Sequence, residues 1–204
     1  MSATPPAKTR PGSVTLAVWL QILLALFLLA QTAVSFMYGP DAADAAEDAL
    51  EAQGVAMSDL PQGTSFESGP GALVFNIVLA AALVVLALLN GAGKRPARVL
   101  TWILQPIILV CTLAGMLSTL FLSQFLSYAF ENSGDDTLEA LDVDAIVDAV
   151  TGAYPSWTAI LSYGALALGI LGSLLVIVLL AVPSANAYFR KDEPEKFIPG
   201  APPA

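Results

Sequence analysis

The chain has 204 residues, 56% of them hydrophobic and only 12% charged, with no histidine and one cysteine, Cys111. Soluble domains carry about 25% charged residues, so this composition excludes an ordinary water-soluble globule and points to lipid as the solvent. A net charge of −9 with only eight basic residues excludes a nucleic-acid-binding surface, and the missing histidine removes the commonest general base and metal ligand.

Residues 1–13 hold Pro5, Pro6 and Pro11 and read as a disordered N-terminal segment. A hydrocarbon core about 30 Å thick needs roughly 20 apolar residues in a helix. Residues 14–37 meet that length without a charge and form the first predicted span. A cleaved signal peptide is the competing reading, since Lys8 and Arg10 precede the run and Ala43-Asp44-Ala45 has a small-x-small pattern. The apolar run exceeds a signal core of roughly 7–15 residues, and Asp41 and Asp44 lie at the supposed cleavage point; the expectation is a retained span.

The first outer loop, residues 38–71, opens with the acidic, Ala-rich stretch 41–53. Ala42, Ala45, Ala46, Ala49 and Leu50 make one apolar face of a short helix that Gly54 can end. Ser58, Pro61, Gly63, Ser68 and Gly71 mark loop after it. The second span covers residues 72–89, and a basic turn with Lys94, Arg95 and Arg98 leads to the third, residues 99–125. Gln105-Pro106 predicts a kink near the start of that helix, because proline removes an N–H.

The second outer loop, residues 126–157, carries another short amphipathic helix. Ser133 stands three residues before Asp136, close to a capping box. Leu138, Leu141, Ala145, Val147 and Val150 recur near helical spacing, with Asp142, Asp144 and Asp148 outward and Gly152 and Pro155 as stops. The fourth span covers residues 158–182, and a Pro-rich tail, 183–204, follows. The expected fold is therefore an all-α membrane protein: a four-transmembrane-helix bundle spanning 14–182, with two short amphipathic acidic helices on the outer face.

Charge sets the orientation. Lys8 and Arg10, then Lys94, Arg95 and Arg98, then Arg190, Lys191 and Lys196 all fall on one side of a four-span topology. All 17 acidic residues except Asp192, Glu193 and Glu195 fall in the two loops on the other side. Basic loops stay in the cytoplasm, so both termini are expected there, in a multi-pass membrane protein. Tyr38, Tyr128, Tyr154 and Trp157 at outer span ends, with Tyr188 and Phe189 at an inner end, suit an interfacial aromatic belt.

The halves share features. Arg10-Pro11 precedes Val14 and Trp19-Leu20-Gln21, as Arg95-Pro96 precedes Val99 and Trp102-Ile103-Leu104-Gln105. Asp48-Ala-Leu-Glu-Ala52 parallels Asp136-Thr-Leu-Glu-Ala140. A duplication would make each half a span, an acidic outer helix and a span.

Candidate chemistry is sparse. The acidic loops read as a solvated face or as a weak cation-attracting surface. Asp142-Val143-Asp144 resembles the start of a calcium loop but lacks the later Asp, Gly and Glu. Gln21, Gln31, Asn76, Gln105, Gln124 and Tyr163 are the polar groups in or near spans, suited to interhelical hydrogen bonds or to lining a polar path. Ala165, Gly169 and Ser173 form a small-residue stripe on span four, for packing within the bundle or for a homo-oligomer contact. Cys111 reads as an apolar filler. No catalytic, cofactor-binding or metal-binding residues are assigned, and no cofactor is expected; the partners expected are membrane lipids and a membrane protein or second copy through span four.

The segments RPGSVTLAVWLQ, KRPARVLTWIL and VPSANAYFRK, at residues 10–21, 94–104 and 182–191, resemble small four-helix integral membrane proteins of unknown function from high-GC Gram-positive bacteria. The resemblance implies a bacterial plasma membrane and adds no activity. The function expected is a non-enzymatic accessory, scaffold or envelope-associated protein, with a small channel or transporter as the alternative.

Overall fold

The computed structural model describes residues 9–60, 64–66 and 68–190. The termini expected to be disordered therefore lie largely outside the described residues, as do Lys8, Lys191 and Lys196.

Helix α1 (Gly12–Glu51) is one unbroken helix of 40 residues. Span one and the acidic stretch were expected as separate elements, with a loop starting at residue 38. The chain instead stays helical through Pro40. The missing proline N–H leaves the Phe36 carbonyl without its helical donor, and the strong helix formers from Ala42 to Glu51 carry the helix onward. Ala42, Ala46 and Leu50, one helical turn apart, are all fully buried and hold it in place. Gly54, at φ +79°, ends the run as expected and lets the Val55 N–H donate to the Leu50 carbonyl at 3.1 Å.

Helix α2 (Pro70–Gly91) begins on proline at its first turn, where a missing N–H costs nothing. Helix α3 (Arg95–Leu120) contains Pro106. It stops at Leu120 rather than running to residue 125. Phe121, at φ −109° and ψ 14°, separates it from α4 (Leu122–Glu131). The Thr119 hydroxyl donates back to the Gly115 carbonyl at 3.0 Å, a bond that loosens the last turn.

The single helix expected in the second loop is two: α5 (Asp136–Glu139) and α6 (Val143–Gly152). Asp135, not Ser133, caps α5, accepting from the Thr137 N–H at 2.9 Å. Asp142, expected to face outward within a helix, caps α6 through the Ala145 N–H at 3.1 Å. A residue that satisfies a new helix start cannot also continue the old one. Gly152 ends α6 as expected.

Span four runs from Thr158 to Ala181 as α7 (Thr158–Ala167), a π-helical turn over Leu168–Gly172, and α8 (Ser173–Ala181). Val182 turns extended, and Pro183 opens α9 (Pro183–Phe189), a helix where the sequence reading placed only tail.

Among the described residues four helices are long and apolar enough to cross a membrane: α1, α2, α3 and span four. α1 packs on α2 and on span four, and α3 packs on the same two, so α1 and α3 stand diagonally opposite. Three apolar cores stack along the bundle. Val14, Ala17, Val18, Ala87, Val176, Leu180, Ala185 and Phe189 fill the end that carries Arg10, Lys94, Arg95, Arg98 and Arg190, here the basic end. Leu24, Ala25, Ala80, Leu83 and Ile108 fill the middle. At the opposite, acidic end, Ala46 and Leu50 of α1 join Val55, Leu60, Phe130, Leu138, Val143 and Ile146 in a cap. Gln53 ties the cap together: its Oε1 accepts from the Asp142 N–H at 2.6 Å, and its Nε2 donates to the Asp142 carbonyl at 3.3 Å.

Candidate functional site

The small-residue stripe of span four is used inside the chain. A Cβ on Gly169 would fall 2.6 Å from the Thr112 Oγ1 of α3, and one on Gly164 would overlap the Phe27 ring of α1. Ala165, Gly169 and Ser173 are buried, so neighbouring helices of the same chain occupy the face considered for a homo-oligomer contact. Close backbone approach of this kind replaces the hydrophobic drive that lipid cannot supply.

The same packing creates a buried polar layer. Gln21 of α1, Asn90 of α2, Thr101 and Gln105 of α3 and Ser173 of α8 are all within 1% of complete burial. At 1.5 Å per residue, Gln21, Thr101, Gln105 and Ser173 lie about 9–15 Å from the basic-end termini of their helices. The Asn90 amide is the hub. Its Nδ2 donates to Thr101 Oγ1 at 2.7 Å and to Gln21 Oε1 at 3.2 Å. Gln21 Nε2 reaches Thr101 Oγ1 at 3.4 Å, a weaker bond. Three helices are thereby pinned at one depth.

Gln105 behaves differently. Among the described residues both atoms of its amide are buried without a hydrogen-bond partner, as are Asn90 Oδ1 and Ser173 Oγ. Such groups are uncommon in native interiors because each costs about 1–3 kcal/mol.

Of the six polar residues singled out from sequence, Gln21 and Gln105 belong to this layer. Gln31 and Asn76 are part-exposed, and Gln124 and Tyr163 are exposed. Asn90 and Thr101 were missed. Asn90 stands beside Gly91 and Gly93, a composition that reads as turn, although it closes α2. Among the described residues no charged side chain is buried, and no group of three or more Cys, Asp or Glu is placed to hold a metal ion. Cys111 is exposed on α3.

The lateral surface is apolar. Trp19, Phe36, Phe75, Val110, Ile160 and Leu171 stand exposed around the bundle, an apolar belt of the kind water-soluble monomers rarely expose. At the acidic end, Tyr38 and Trp157 meet edge to face, ring centres 6.3 Å apart. Four apolar helices, a lipid-compatible surface and uncharged interior packing define an integral membrane protein built as a four-helix bundle. No protein-family model, curated protein or solved structure matches the chain.

Proposed function

We propose that the protein is a non-enzymatic accessory, scaffold or envelope-associated component of a bacterial plasma membrane, presenting its acidic cap outside the cell to a partner. One observation carries the reading: the cap has its own apolar core and is borne directly on α1, while the bundle below it encloses no buried charge among the described residues. Pumps and carriers mark their paths with intramembrane charge or broken helices. A cap with a core of its own, carried on α1, suits recognition at the surface. The basic-end residues stay in the cytoplasm and the acidic helices lie outside, because basic segments resist translocation and a membrane potential negative inside favours that arrangement by about 2.3 kcal/mol per charge per 100 mV. The likeness to small four-helix membrane proteins of high-GC Gram-positive bacteria agrees with this placement.

Two experiments test it. In the first, Asp44→Cys or Asp142→Cys in a Cys111→Ser background labels with an impermeant thiol reagent on intact cells, and Lys94→Cys does not; labelling at position 94 overturns the orientation. In the second, a stoichiometric partner co-purifies with the native chain and is lost when residues 136–150 are replaced by a Gly/Ser linker. Co-purification that survives the replacement removes this cap segment from the interaction.

The partnerless amide of Gln105 favours a second reading, a small channel or transporter with a neutral polar constriction. Selective, saturable flux in liposomes that disappears in Gln105→Leu would establish it; flux unchanged by that substitution, or no flux at all, removes it.

A further inference from the structure

A cleft of about 380 Å³ opens at the basic end, lined by Arg95, Arg98, Val99, Trp102, Asn186, Phe189 and Arg190. It exists because α9 folds back beneath the bundle. Ala185 and Phe189 are buried in the basic-end core, and the Tyr188 hydroxyl donates to the Gly91 carbonyl at 2.6 Å. Gly93, at φ +70°, admits that ring: a Cβ there would lie 3.2 Å from Tyr188 Cε1.

The folded-back helix orients two guanidinium groups. Arg95 Nε donates to the Phe189 carbonyl at 2.6 Å, which spends one of the five N–H groups on the fork. Arg98 Nη2 donates to Asn186 Oδ1, and its guanidinium carbon lies 4.4 Å from the Trp102 ring centre and 5.3 Å from that of Phe189. Among the described residues Arg98 Nε is buried without a partner, and the cleft lining includes no carboxylate. One wall is Val99 and Trp102, both exposed on the lipid-facing belt of α3.

We propose that this cleft binds the phosphate group of an anionic phospholipid, with the headgroup between Arg95 and Arg98 and the acyl chains along Val99 and Trp102. A planar guanidinium held by stacking presents its remaining N–H groups to phosphate oxygens in a fixed direction, and basic pockets between membrane helices suit lipid headgroups. The continuous apolar wall selects a lipid over a soluble phosphate, because it gives the tails a path out of the cleft. The assignment is independent of the identity of any partner of the acidic cap.

The full chain in phosphatidylcholine nanodiscs containing a minority of phosphatidylglycerol provides the test, with native mass spectrometry counting the lipid retained on release. The native chain retains phosphatidylglycerol over phosphatidylcholine. Arg95→Gln/Arg98→Gln loses that preference by roughly fivefold per arginine. Asn186→Asp, at an exposed position that leaves the bundle core untouched, puts a carboxylate into the cleft and gives the same loss even if the arginine variant fails to fold. Arg10→Gln, at the same end but outside the cleft lining, retains the preference. Equal loss in Arg10→Gln would mean that general charge attracts the lipid and would overturn the site. Unchanged retention in Asn186→Asp would overturn it too, as would displacement of the lipid by an equal concentration of inorganic phosphate, which would assign the cleft to a soluble anion.

Discussion

Replacing Asn90 and replacing Gln105 should have opposite consequences, although both are amides buried in the same layer. Asn90→Ala removes the hub. It deletes the bonds to Thr101 at 2.7 Å and to Gln21 at 3.2 Å, each worth about 0.6–2 kcal/mol between membrane helices. It also strands Gln21 Oε1, at a further cost of about 1–3 kcal/mol for a buried acceptor left unpaired. The Asn90 Oδ1 atom, partnerless already, is relieved and offsets part of this. The expected net loss is about 2 kcal/mol. Gln105→Met keeps the side-chain volume and removes an amide that makes no bond among the described residues, so stability should be unchanged or rise by about 1 kcal/mol. Reversible unfolding in mixed micelles, followed by circular dichroism as denaturing detergent is titrated, measures both. A loss in Gln105→Met as large as that in Asn90→Ala would refute the reasoning, because it would mean that the Gln105 amide is bonded.

Three further outcomes follow from other parts of the molecule. Asp142→Ala removes the cap of α6 and should destabilise the acidic-end cap by about 1 kcal/mol, seen as faster amide exchange across residues 143–152. Gly169→Ala drives a methyl into Thr112 and should cost about 1–3 kcal/mol, with much of the loss recovered in Gly169→Ala/Thr112→Ala by the same unfolding titration. Hydrogen bonds from the Thr137 side chain and backbone hold the Asp135 carboxyl below its usual pKa, against a small opposing desolvation. A group depressed in this way stabilises the folded form above the ordinary carboxylate pKa, and that contribution is lost as pH falls through the lowered folded value. Protection of the Thr137 amide should therefore decline in that acidic window, and Asp135→Asn should flatten the profile.

The spans were legible because lipid imposes a length and forbids charge, two constraints that single residues cannot hide. The continuation of α1 was not, because Gly39-Pro40 signals a stop in local terms. Tertiary burial of Ala42, Ala46 and Leu50 outweighs a proline placed where the span meets the acidic segment. Helix α9 escaped notice for a related reason. Residues from 183 onward read as tail, whereas the proline that opens them stands at a first helical position, where proline is favoured. The spacing of Ala185, Tyr188 and Phe189, one helical face, was the available signal. Gln21 and Gln105 stood out as amides among leucines, but which of them would find a partner depends on Asn90 and Thr101, placed by the crossing of helices rather than by any local pattern.

The unbroken length of α1 gives the two ends of the molecule one shared shaft. Gln21 sits in the pinned layer and Leu50 in the cap, some 44 Å apart along it. Pro40 lies between them, and its missing N–H makes that position the one where the shaft bends most readily. The angle at which the cap meets the bundle is therefore set where the apolar run ends, not inside the span.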